Sequence, residues 1–221
     1  MKRAMFLKFL MAMMMCWSTS SFAGDKIKVA CIGDSITYGA GVKNRTEMSY
    51  PAQLQKSLGE KYEVMNCGQN GIKMKNYLKR WEEKIAVFQP NIVTIKLGTN
   101  DTKLRKFDPA PGNKEEFNKQ FIDSATKLVE FLNGLESKPK VYICLPVPVF
   151  RDNKMGINEK AMTEDVIPAL KKLAVEKDLP VIDLYTACKG KGNDVPDGVH
   201  PNGKVQTILA AEIAKAIKQK K

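Results

Sequence analysis

Five short apolar runs punctuate the chain, at residues 27–32, 62–66, 91–97, 141–145 and 181–184. They are rich in Val and Ile and too short for helices, so each is read as a β-strand. Between them, apolar residues recur at helical spacing, which predicts helices over 51–58, 74–88, 115–135, 158–177 and 205–218. The boundaries carry stop and start signals. Ser49 is a suitable N-cap with Pro51 two positions on, and 74–88 stops before Gln89-Pro90. Asn113 with Glu116 three residues later has the form of a capping box. In the last segment Val205, Ile208, Leu209, Ile213 and Ile217 share one stripe.

Strands that alternate with helices form βαβ units, and these build a parallel sheet covered on both faces. Right-handed crossovers then restrict the topology to a doubly wound, flavodoxin-like α/β fold. The longest irregular stretch, 99–112, follows the third strand and could border a site. Ligands of such sheets lie outside the carboxyl ends of the strands. The residues just after each apolar run are therefore where chemistry is expected.

Composition adds a compartment. Lys2, Arg3 and Lys8 precede a charge-free apolar run over 9–17, and Ser21 and Ala23 occupy the −3 and −1 positions of a cleavage site. This is the pattern of a secretory signal peptide, and the run is well short of the roughly 20 residues that span a bilayer. Cleavage near Ala23 predicts an exported protein, periplasmic or secreted, with one domain over 24–221 and no membrane attachment in the mature form. Losing three basic residues and no acid lowers the net charge from +12 to +9. The lysines are scattered among acids, and no aromatic residues interleave with the basic tail, so a solvated face is preferred to a nucleic-acid partner. Export permits disulfides among Cys31, Cys67, Cys144 and Cys188. Cys31 and Cys144 lie inside strand patterns, where buried free thiols are the alternative. With one histidine, no CxxC and no HExxH, a zinc-dependent hydrolase is disfavoured and no metal site is expected.

The strand ends carry a consistent chemistry. After the first comes Gly33-Asp34-Ser35-Ile36-Thr37, after the second Asn66-Cys67-Gly68-Gln69-Asn70-Gly71, and after the third Gly98-Thr99-Asn100-Asp101. Beyond the fifth comes Asp197-Gly198-Val199-His200-Pro201. A serine hydroxyl becomes a nucleophile when a base removes its proton, and His200, the only histidine, is the economical base for Ser35. Asp197, three residues before it, can hold the imidazole in one tautomer. A tetrahedral intermediate needs preorganised donors. The N–H of Ser35, the N–H of Gly68 and the side-chain amide of Asn100 are the candidates. Asp194 or Asp183 could serve instead as the acid.

These blocks resemble the SGNH (GDSL-type) hydrolase family over the whole mature chain. Ser35 in "IGDSIT", Gly68 in "NCGQNG", Asn100 in "LGTND" and His200 in "DGVHP" match its four blocks, and Asp197 matches its third acid. Ile36 stands where the eponymous motif has Leu. The resemblance implies a three-layer α/β/α sandwich around a five-stranded parallel sheet, and ester hydrolysis through an acyl-serine with no cofactor. "RTEMSYPAQL" and "IKLGTND" look most like secreted bacterial carbohydrate O-acetylesterases, including sialate-type ones, which implies a small-molecule or glycan ester as substrate. The alternatives are a thioesterase or lysophospholipase of the same family, or a non-catalytic glycan-binding module.

Several residues keep more than one reading. Lys96 alternates with Ile95 and Leu97 in a central strand. It can carry its ammonium past the sheet to water or an acid, or help bind an anionic substrate near Asn100. Asp34 and Asp101 are read as ties for loop amides that hold Ser35 and Asn100. Arg45 and Arg151 could meet a sugar carboxylate. Gly39-Ala40-Gly41 lacks the spacing of a dinucleotide loop, since its third glycine would fall at Asn44.

Overall fold

The computed structural model describes residues 25–103, 114–150, 153 and 155–219. The proposed signal segment, Arg151 and the Asn113 cap lie outside the described residues.

From the N-terminus the elements are β1 (Ile27–Gly33), α1 (Ser35–Tyr38), α2 (Arg45–Met48), α3 (Tyr50–Leu58), β2 (Tyr62–Gly68), α4 (Leu78–Phe88), β3 (Ile92–Lys96) and α5 (Lys114–Gly134). They continue as β4 (Lys140–Cys144), α6 (Glu159–Ala161), α7 (Ile167–Glu176), β5 (Val181–Ile182), α8 (Leu184–Ala187) and α9 (Gly203–Lys218). The five strands form one parallel sheet in the order β2-β1-β3-β4-β5. This is the doubly wound α/β architecture expected from the sequence.

Alternation along the strands divides the core in two. Ala30, Ile32, Val93, Ile95, Val141 and Ile143 share a buried cluster with Ile85 of α4, Leu128 of α5 and Leu170 of α7. Val29, Cys31, Tyr142 and Ile182 share the other with Leu54 of α3 and Leu209 and Ile213 of α9. Each fully buried aliphatic side chain contributes about 1.5–3 kcal/mol relative to exposure. The opposite faces of the sheet therefore each hold a helical layer, and the strand ends are left for the loops.

Three predicted helices differ from expectation. The segment at 74–88 opens as a 3₁₀ turn, Met74–Asn76, before α4. Met74 N–H is held there by the Asp101 carboxylate instead of entering an α-helical start. The segment at 158–177 is α6, a π-helical turn at Met162–Val166, then α7. Pro168 supplies no N–H to the preceding turn, and a widened turn just upstream accommodates the loss. At α3 Ser49 takes the cap position but makes no side-chain cap bond. The Gln206 side chain, fully buried on α9, accepts from Tyr50 N–H at 2.8 Å and donates to the Ile36 carbonyl at 3.1 Å. One amide thus joins α1, α3 and α9.

Candidate active site

Parallel register levels the strand ends. Gly33 of β1 stands opposite Gly68 of β2 and Lys96 of β3. The chain turns directly from Gly33 into α1, whose N-cap is Asp34. The Asp34 carboxylate accepts from Ile36 N–H at 2.9 Å, which satisfies an otherwise orphaned donor and fixes the first turn. Ser35 is the first residue of α1 and is only 7% exposed.

The imidazole arrives from the other end of the sequence. His200 Nε2 lies 2.8 Å from Ser35 Oγ, and His200 Nδ1 lies 2.7 Å from Asp197 Oδ2. A carboxylate can only accept, so Nδ1 carries the ring proton and Nε2 accepts from the Ser35 hydroxyl. Asp197 also shapes its own turn, since Oδ1 accepts from Val199 N–H at 2.9 Å and His200 N–H at 2.7 Å. Desolvation pushes the Asp197 carboxyl up. The N–H and ring bonds from His200, the Val199 N–H and the charge of His200 outweigh it, and the carboxyl ends below its ordinary value. Gly198 has φ 80°, and a Cβ there would run into the Phe150 carbonyl. The close approach lets Phe150 N–H bond to the Gly198 carbonyl at 2.8 Å, so the segment after β4 braces the histidine turn. Asn202 caps α9 through Lys204 and Val205 N–H, which anchors the other side of that turn.

The alternative acids are engaged elsewhere. Asp194 accepts from the Asn202 side chain at 3.0 Å, and Asp183 caps α8 through Thr186 N–H at 2.9 Å. Of the three, Asp197 is the one beside the imidazole.

The expected donors divide. Asn100 opens a 3₁₀ turn after β3 and donates one amide hydrogen to the Ile72 carbonyl at 3.1 Å, which leaves a second on the same nitrogen. Asp101 accepts from Met74 N–H at 3.1 and 3.2 Å through its two oxygens, so the β3 turn and the β2 loop are tied twice. Burial pushes the Asp101 carboxyl up to about 7, against the Met74 N–H that pulls it down. Gly68 needs correction. Its N–H is not open but donates to Asn66 Oδ1 at 2.9 Å. Its lack of a side chain serves packing, because a Cβ would collide with the Thr37–Tyr38 backbone. Gly71, at φ 69° in the same loop, has no hydrogen bond from its N–H among the described residues.

Lys96 does reach an acid. Fully buried, its ammonium lies 3.0 Å from both Asp34 oxygens and 3.1 Å from Thr99 Oγ1. Its three hydrogens are occupied, so it has none to offer a substrate. Arg45 rests over the Tyr38 ring, 4.0 Å from the centroid. Sequence reasoning missed Gln206 and Thr99, since only their long-range contacts give them meaning. Gln206 left one trace, a polar residue beside Val205 on the packed side of α9.

A doubly wound parallel sheet with a hydroxyl–imidazole–carboxylate chain across its carboxyl edge defines a class of three-layer α/β proteins built for chemistry at that edge. The chain belongs to the GDSL-like Lipase/Acylhydrolase family, whose model matches residues 31–208. It is 35% identical over 211 residues to an acetylxylan esterase of Xylanibacter ruminicola, covering 88% of this chain and 44% of that relative. It thus spans under half the length of that relative. An arylesterase of Vibrio mimicus is 26% identical over 205 residues, covering 91% of this chain and 92% of the relative. A carbohydrate acetylesterase from Sinorhizobium meliloti shares the fold with TM-score 0.71 at 20% identity, covering 87% of this chain and 98% of that one.

Proposed function

We propose that this protein is a serine esterase that removes short acyl groups, acetyl above all, from glycans through an acyl-serine intermediate. The observation that carries the reading is the unbroken chain of short contacts from Ser35 Oγ through His200 to Asp197. As Ser35 Oγ attacks the ester carbonyl, its proton passes to His200 Nε2, and Asp197 stabilises the charge that appears on the ring. The oxyanion is held by Ser35 N–H and the second amide hydrogen of Asn100. Gly68 N–H is committed to Asn66, and Gly71 N–H, with no partner among the described residues, is the third donor in this reading. His200 then protonates the departing sugar oxygen. Water, deprotonated in turn by His200, attacks the acyl-serine and frees the acid.

Acetylated xylan is the first substrate to try, given the named activity of the 35%-identical relative. Ser35→Ala should abolish hydrolysis of p-nitrophenyl acetate, and full turnover in that variant would refute the nucleophile. Asn100→Ala should lower kcat on the order of 10²–10³-fold. A preference for eight-carbon over two-carbon esters would replace the acetyl reading with a thioesterase or lysophospholipase one. Residues 1–23 are read as an export signal, so mass spectrometry of the exported protein should find Gly24 at its N-terminus. Among the described residues no helix is long and apolar enough to cross a membrane.

A further inference from the structure

The reaction just proposed has no task for Lys96, yet few residues in the fold are placed at greater electrostatic cost. Lys96 and Asp34 are both fully buried, in the central strand and in the turn beside it. Two buried charges carry a heavy desolvation penalty, and apolar residues of similar volume commonly fill such space with no loss of stability. Packing alone therefore does not account for an ammonium here. Direction does, because an ammonium has three hydrogens to aim.

We propose that Lys96 is a positioning residue whose ammonium locks the Ser35 turn and the Asn100 turn at one separation, so that nucleophile and oxyanion donor meet the same carbonyl. The inference rests on the esterase reading above. On one side Lys96 Nζ holds Asp34 through both oxygens at 3.0 Å, and Asp34 in turn holds Ile36 N–H, the first turn of the helix that presents Ser35. On the other side it holds Thr99 Oγ1 at 3.1 Å, and Thr99 is the residue before Asn100. The Thr99 carbonyl accepts from Thr102 Oγ1 at 2.8 Å, and that hydroxyl accepts from Asn158 N–H at 3.2 Å. One line of hydrogen bonds thus runs beneath the site, from α1 across β3 to the entry of α6. Lys96 touches no reacting atom. It fixes where two groups that do so stand, and a misplacement of about 1 Å can cost on the order of 10²-fold in rate.

The test separates position from stability. The double variant Asp34→Asn/Lys96→Met removes both charges and keeps both volumes, and the amide oxygen introduced by the first change can still cap Ile36 N–H. It should remain cooperatively folded, at a lower melting temperature because the new amide N–H₂ is buried beside a thioether, and lose on the order of 10²-fold in kcat toward p-nitrophenyl acetate, with KM within about threefold. A single change gives an independent reading without touching the ion pair. Thr99→Val should lower kcat about tenfold, and Thr99→Ser, which keeps the hydroxyl, should restore it. Wild-type kcat in a folded double variant, or in Thr99→Val, overturns the proposal. Ser35→Ala, assayed beside them, tests the esterase reading by itself: turnover there defeats that reading whatever the Lys96 variants do.

Discussion

Asp197 performs two tasks with one carboxylate, closing its own turn through two N–H groups and orienting the ring of His200. Its native carboxyl lies below its ordinary value. The unfolded reference is about 3.9, so its contribution to stability is complete above about pH 4 and fades as pH falls through the native value. Asp197→Asn should therefore flatten the acid limb of a urea-midpoint profile. It should also lower kcat on the order of 10⁴-fold, because an amide can present N–H to the ring and favour the wrong tautomer. Asp101 has the opposite sign. Its native carboxyl is raised to about 7, so the folded state binds its proton more tightly than the unfolded chain does. Ionisation then costs stability progressively from about pH 4 to about pH 7. Asp101→Asn keeps an acceptor for Met74 N–H without the charge. Its urea midpoint should gain on the wild type across that window, and a constant difference would contradict the assignment.

Elements hold the site by bracing one another's ends. The segment after β4 supports the Gly198 turn, and Glu159 supports that segment by accepting from Val149 N–H at 2.7 Å and Tyr185 OH at 2.6 Å. Glu159→Ala orphans a part-buried N–H and should cost about 1–3 kcal/mol in chemical denaturation. The outer edge of β2 is closed locally: Gln55 accepts from Val64 N–H and donates to the Tyr62 carbonyl, while Asn66 takes Gly68 N–H. An exposed edge invites pairing with another chain, and side-chain amides here occupy the groups that would pair. The five strands and five long helical segments were visible in the sequence because periodicity is a property of each element alone. The short helices α1, α2 and α8, the 3₁₀ opening at Met74 and the π-helical turn before Pro168 were not. α1 and α8 rest on single side-chain caps, Asp34 and Asp183, the Met74 turn on a tertiary carboxylate and the π-helical turn on a missing N–H, none of which periodicity registers.

Over the whole molecule the same division holds. The blocks around Ser35, Asn100 and His200 were readable as candidates because of residue type and position after a strand, and the fold brings Ser35 and His200 within 2.8 Å. The partner of Lys96 and the bridging by Gln206 depend on separations of 62 and of 156 or 170 positions that only folding resolves, while the commitment of Gly68 N–H is a local Asn66 contact that a search for strand-end chemistry does not register. Cysteine usage was left open by the sequence, and the fold answers it. All four described cysteines are free and buried. Burial pushes the Cys31 thiol up to about 12 and Cys188 up to about 11, and raises Cys67 and Cys144 as well. Such thiols are poor nucleophiles and make no cross-link. Reducing agent should leave the melting temperature unchanged, and native protein at pH 8 should resist alkylation by iodoacetamide until it is unfolded.

The 165 positions between the two ends of the Ser35–His200 contact have a consequence for the chain's birth. A ribosome delivers the Ser35 hydroxyl first and the His200 imidazole 165 positions later, with α9 and its Gln206 tie later still. On the proposed mechanism a nascent chain that stops short of His200 has no base for Ser35, however well its first strands have paired. Message damage that stops translation before codon 200 yields protein without that imidazole, so on the proposed mechanism ester hydrolysis would report that synthesis has passed this point.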